Sequence, residues 1–168
     1  MSSVNDSSSK SHLSLKWKVA DKINQFRRFH NAVELTFDPD SKLTKLAQEC
    51  ADKTVEDNCM KHYAVRDFGQ NIFAMSRRFN FDASHGVTFW YNEVDNYDPH
   101  SPGWQEGCGH FTQLVWKSSQ EVGIGVAMDN DVTCLVANFY PKGNVYGGFE
   151  ENVEKDPNLH RSVSLDED

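Results

Sequence analysis

Residues 121–140, EVGIGVAMDNDVTCLVANFY, decide the fold. Val122, Ile124, Val126 and Met128 alternate with Gly123, Gly125 and Ala127, which is the period of a strand. Asp129, Asn130 and Asp131 then turn the chain. The return strand, Val132 to Tyr140, has Val132, Cys134 and Val136 on one face and Leu135, Ala137 and Phe139 on the other. Both faces are apolar, so this strand is expected in the middle of its sheet with a layer on each side. The first strand carries glycine at two successive positions of one face, so another backbone can lie very close to it.

The residues before this hairpin read mainly as helices. Trp17, Ala20, Ile23, Phe26 and Phe29 or His30 recur at helical spacing and predict a helix from Trp17 to about Val33. Asp40 is the expected N-cap of a second helix, whose stripe is Leu43, Leu46, Ala47, Cys50, Ala51 and Val55. GQNIFAM (69–75) reads as a short extended segment. A third helix is expected from Asp82 or Ser84 to Tyr97. DPHSPGWQEG (98–107) holds two prolines and two glycines and excludes regular structure. GHFTQLVW (109–116) reads as a short helix. Helices first, strands after, and a strand buried on both faces argue an α+β fold, a three-layer α-β-α sandwich.

The flanks differ from this centre. Residues 1–14 are Ser-rich and polar and are expected to be a disordered lead-in, 15–153 the folded domain, and 154–168 an acidic tail. Of the net charge of −8, residues 148–168 supply −5. No basic stripe exists, so nucleic acid is not an expected partner. No stretch approaches the roughly 18 apolar residues of a transmembrane segment. The first twenty residues contain no apolar leader core, so an intracellular place is expected, in the cytosol or peripherally on a membrane, with leaderless secretion left open. The four cysteines, 50, 59, 108 and 134, form no C-x-x-C pair. Reduced thiols are expected, with Cys50 a small hydrophobe in the second helix.

No phosphate-binding glycine loop and no G-x-S-x-G elbow occurs. The ionisable residues beside apolar segments are therefore the candidates. Glu93 lies three residues after Trp90 and four before Tyr97, on an aromatic helix face. Its carboxylate either finds a partner there or reaches solvent at the edge. His110 opens the short helix and His62 follows the second one. Either serves a site only if the fold brings them together.

Two stretches are similar to the signatures of one family. GHFTQLVWKSSQEVGIGVA (109–127) and NFYPKGNVYGGFEENV (138–153) resemble the first and second signatures of the CAP superfamily: the cysteine-rich secretory, antigen-five and pathogenesis-related proteins, or SCP domain. WYNEVDNYD (90–98), HNAVEL (30–35) and KHY (61–63) resemble further blocks. The likeness spans roughly residues 17–153 and is strongest to the Golgi-associated and signal-less venom allergen-like branches. It implies a sandwich of the CAP type with a cleft of two histidines and two glutamates. By motif these fall on His62, His110 and Glu93. The second glutamate belongs to a G-E-N motif that here reads Gly69, Gln70, Asn71. An amide carries no charge, so at most a weakly bound divalent metal on His62, Glu93 and His110 is expected, and no cofactor is required.

The resemblance also raises a Cys59–Cys108 bridge, since these cysteines precede the two motif histidines; it stays open. The loop YDPHSPGW (97–104) resembles a sterol-binding loop of yeast and plant relatives, which points to Tyr97, Pro99, Pro102 and Trp104. The alternative is that Trp104 packs back on Trp90. The implied function is non-enzymatic binding of a sterol, fatty acid or other lipid, of a protein partner, or of a second copy in a homodimer. A scaffold or venom allergen-like antigen without small ligand is the alternative. A hydrolase of the His/Glu cleft, with Thr112 or Cys108 as nucleophile, is the weakest reading.

Overall fold

The computed structural model describes residues 3–60, 62, 67–77 and 82–154. The elements run α1 (Ser3–Phe29), β1 (Thr36–Phe37), α2 (Lys42–Glu56), β2 (Gly69–Ser76), α3 (Ser84–Asn92) with a 3-10 turn (Glu93–Asn96), α4 (Gly109–Leu114), β3 (Glu121–Met128), β4 (Val132–Tyr140) and α5 (Phe149–Asn152). The sheet order is β1-β3-β4-β2. β4 is antiparallel to both neighbours, and β1 adds a short parallel edge to β3. The central place of β4 follows from its two apolar faces, and the three-layer α-β-α sandwich forms around it.

α2 covers one face of the sheet. A Cβ at Gly123 would stand 2.3 Å from the Leu43 carbonyl carbon, and one at Gly125 would stand 2.2 Å from the Ala47 oxygen. The two glycines therefore let helix backbone rest on strand backbone. The helix meets them with small buried residues, Thr44, Ala47, Cys50, Ala51 and Thr54, while Leu43 and Leu46 stay half-buried. Its N-cap is Ser41, not Asp40, because the Ser41 hydroxyl accepts the Thr44 N–H at 3.1 Å.

The opposite layer is α1, α3 and α4, filled with rings. Phe26 stacks on Tyr91 at 4.0 Å, and Tyr91 meets Phe111 edge-on. α1 starts at Ser3, so it takes in residues 3–14, expected as an unstructured lead-in. Once the packed turns around Val19, Ile23 and Phe26 nucleate a helix, extending it costs little. It stops at Phe29 rather than near Val33. Asn31 turns left-handed at φ 52°, its N–H bonds the Arg28 carbonyl, and the Ala32 N–H bonds the Arg27 carbonyl.

Arg27 is fully buried. Its guanidinium donates to the carbonyls of Val33, Leu114, Trp116 and Ser119 at 2.8–3.1 Å, tying the end of α1 to the chain after α4. Burial pulls its pKa down to about 10. α3 ends at Asn92 and tightens into the 3-10 turn, short of the expected Tyr97. All four cysteines are free thiols, so no Cys59–Cys108 bridge forms; Cys108 is buried and Cys59 exposed. Cys50 is buried among Ala47, Ala51, Ile72 and Cys134 as a small hydrophobe. Of the expected acidic tail only Glu154 is described; it accepts from Lys117 at 3.0 Å, and residues 155–168 lie outside the described residues.

Candidate functional site

At the end of the sheet where β2 begins and α4 starts, a cavity of about 380 Å³ opens. His62, Gln70, Glu93, Trp104 and His110 all line it, with Asn71, Asn144 and several glycines. The fold thus gathers residues that sequence spacing left scattered.

Glu93 does not reach out to solvent. Its carboxylate turns onto the start of α4, where Oε2 accepts the His110 and Phe111 N–H groups at 2.9 and 3.1 Å. These are first-turn donors without intrahelical partners, and Cys108 supplies no side-chain cap. Oε1 accepts His110 Nδ1–H at 2.6 Å. The His110 ring lies nearly parallel to Trp90, centroids 6.2 Å apart.

His62 is reached from the other side. Gln70 pairs with Asn138 in the β2–β4 register. Gln70 Nε2 donates to Asn138 Oδ1 at 2.9 Å, and Asn138 Nδ2 donates to the Leu43 carbonyl at 3.3 Å. Gln70 Oε1 is left to face His62 Nδ1 at 3.3 Å. The floor is closed by Gln113, whose Oε1 accepts the Gly143 N–H at 2.9 Å; a Cβ at Gly69 would sit 1.8 Å from that oxygen. Asn71 donates to the His110 carbonyl at 3.0 Å, fastening β2 to α4.

The loop over the cavity divides its aromatics. Tyr97 is 5 % exposed and packs on Phe111, so it belongs to the core and not to a ligand surface. Trp104 is 64 % exposed and does not pack back on Trp90; its Cη2 would stand 2.6 Å from a Cβ at Gly109. Pro99 is half-buried, Pro102 exposed, and neither is among the lining residues. Asn144, left-handed at φ 55°, donates to the Gly109 carbonyl and accepts the Thr112 hydroxyl, holding the opposite rim.

The expected metal ligands His62, Glu93 and His110 share the cavity lining but are not grouped for coordination. Among the described residues no group of three or more His, Cys, Asp or Glu is placed to hold a metal ion. Both Glu93 oxygens are engaged, and position 70 offers an amide whose oxygen faces His62. The two candidate nucleophiles fare no better. Thr112 is buried and donates to Asn144 Oδ1 at 2.7 Å. Cys108 is fully buried, and burial, followed by the nearby Glu93 charge, pushes its thiol pKa up.

Asn138, Gln113 and Asn144 escaped the sequence reading, and Asn71 entered it only as a motif residue without a partner. One signal was available: an Asn within the otherwise apolar strand VTCLVANFY is a buried polar group that must find partners.

Residues 20–139 match the family described as CAP: Cysteine-rich secretory protein family. The chain is 32 % identical over 136 residues to the human Golgi-associated plant pathogenesis-related protein 1, covering 77 % of this chain and 86 % of that protein. It is 30 % identical over 150 residues to Salivary antigen-5 of Dipetalogaster maximus, covering 81 % of this chain and 56 % of that one. Among solved structures, NaASP2 with Zn2+ superposes with a TM-score of 0.62 at 20 % identity, over 82 % of this chain and 85 % of that one. Fold, signatures and matched residues agree: the chain belongs to the CAP family of cysteine-rich secretory proteins.

Proposed function

We propose that this CAP domain is a non-catalytic binding module that takes a lipid, whether sterol, fatty acid or another, at the cavity beneath Trp104. The observation that carries the reading is Trp104 itself, 64 % exposed at the mouth of a cavity of about 380 Å³. An indole offers a flat apolar body and one hydrogen-bonding tip, which suits an apolar ligand with a polar head. That neither Thr112 nor Cys108 is free to attack a substrate supports the non-catalytic reading. The free thiols suit a reducing compartment. Among the described residues no helix is long and apolar enough to cross a membrane. The proposed site of action is intracellular, with peripheral lipid contact; the human relative is Golgi-associated by its name.

A lipid pulldown with sterol and fatty-acid competitors tests this, paired with Trp104→Ala. Losing an aromatic contact of this kind costs on the order of 1–3 kcal/mol, about tenfold or more in affinity. The melting temperature should hardly move, because the ring lies mostly in solvent. Unchanged lipid affinity with a large stability loss would make Trp104 core and end the reading. A second reading, a protein-binding scaffold, is favoured by Tyr146, which is fully exposed beside the partly exposed Val145. Lipid-independent self-association in light scattering, abolished by Tyr146→Ser, would select it.

A further inference from the structure

Asn138 is completely buried and touches no solvent in the cavity, yet it decides what the cavity presents. The chain of assignments begins at a backbone carbonyl, which only accepts. Leu43 O therefore requires the NH2 of Asn138, and Asn138 Oδ1 in turn requires the NH2 of Gln70. The remaining Gln70 oxygen faces His62 Nδ1 and can only accept from it. On the other wall Glu93 Oε1, a carboxylate oxygen, fixes the proton of His110 on Nδ1 in the same way. Each neutral ring then keeps its lone pair on Nε2, the nitrogen left over for the cavity.

A glutamate at position 70 would place two acceptors against each other at Asn138. Turning the Asn138 amide over only moves the clash to Leu43 O. The amide at position 70 and the amide at 138 are thus matched. Charge points the same way. The one carboxylate of the lining is spent on α4 and His110, and among the described residues no Lys or Arg lines the cavity. Among the described residues of the lining, an anionic head group finds no fixed cation and a divalent cation finds no free carboxylate.

We propose that the Asn138–Gln70 pair, together with Glu93, builds the cavity as a hydrogen-bond-accepting site for a hydroxyl-bearing head group, with the apolar part of the ligand against Trp104. This rests on the binding reading above for the apolar part and adds the head-group chemistry. A hydroxyl of this kind could come from a sterol, a fatty alcohol or a sugar ring.

Long-range 1H–15N correlation spectra of the full chain, recorded where both rings are neutral, read the first half of the proposal. His62 and His110 should each carry the proton on Nδ1. Gln70→Leu, which removes the acceptor, should release His62 toward the Nε2–H form. A purely structural role for Gln70 would not move that signal. Titration with hexadecanol and with palmitate, which share a chain and differ in head group, reads the second half. Hexadecanol and cholesterol should perturb the Nε2 signals and bind at least tenfold more tightly than palmitate.

If methyl β-glucoside perturbs both rings and the lipids do not, the head-group inference stands and the lipid reading falls. If palmitate matches hexadecanol, the lipid reading stands and this inference falls. The inference also fails if the rings carry their protons on Nε2, if zinc chloride binds more tightly than any hydroxyl probe, or if no probe touches the rings.

Discussion

On one side of the sheet α2 lies with its backbone against Gly123 and Gly125. On the other, α1, α3 and α4 stand off on a layer of aromatic rings. The first face has no space between the elements and uses residues no larger than needed to seal it: alanine, threonine and cysteine. The second spaces its elements with Phe26, Tyr91, Phe111 and Trp116. The cleft opens at the end of the sheet, where Gln70 comes from the α2 side and Glu93 and His110 from the aromatic side. Neither layer alone could supply it. Close backbone packing fixes where β2 begins, and ring packing leaves the polar ends of α3 and α4 uncovered.

The contrast is broken most severely at Gly125. A Gly125→Val side chain would meet the Ala47 carbonyl and the Gln48 N–H of α2, which are backbone atoms that cannot swing aside. Overpacking of this kind should destabilise the domain by about 3 kcal/mol or more. For a domain of this size that lowers the melting temperature by roughly 6–12 °C. A loss below about 1 kcal/mol would show that α2 is not seated on the glycines.

Arg27 probes the other side. Arg27→Met keeps the aliphatic stem and strips four carbonyls of their donor. The buried charge is itself costly, which offsets part of the loss. The expected penalty is about 2–3 kcal/mol in urea unfolding. A variant as stable as the natural protein would mean that burying the guanidinium costs as much as its four bonds return.

How much of this was legible follows the same division. The hairpin 121–140 was readable because strand alternation and a three-residue turn are local signals, and even the seat for α2 showed in the spacing of Gly123 and Gly125. The central place of β4 was written in its two apolar faces. The end of α1 was not readable, because it depends on a left-handed Asn31 and on Arg27 reaching carbonyls some ninety positions away. Motif likeness singled out His62, Glu93 and His110, but not what each would touch. Glu93 was read against its aromatic face, whereas its partners are the N–H groups of a helix seventeen residues on. Tyr97 and Trp104 look alike as loop ends in sequence. One became core because Phe111 lies beneath it, and the other stayed outside because Gly109 leaves its ring only a ledge.

The smallest expected effect sharpens the comparison at the outer edge of the aromatic layer, where α1 and α3 meet through charge rather than rings. Asp82 sits before α3, where its Oδ1 accepts the Ser84 N–H at 2.8 Å and the Ser84 hydroxyl at 2.5 Å, and its Oδ2 accepts Lys18 Nζ of α1 at 3.0 Å. Burial pushes this carboxyl upward, but the Ser84 and Lys18 contacts outweigh it and hold the pKa at about 2. The folded value lies below the ordinary one of 3.8, so the stabilisation is fully present above that value and is lost as the pH falls toward about 2. The Asp82 side chain is 39 % exposed and Lys18 is 53 % exposed, so solvent screening trims the contribution to about 1 kcal/mol or less. Asp82→Asn should therefore lower stability by about that amount near neutral pH, and its urea curve should converge on that of the natural protein as the pH approaches about 2. Two curves that stay parallel across the acid range would show that the loss came from reshaping the start of α3 and not from the charge.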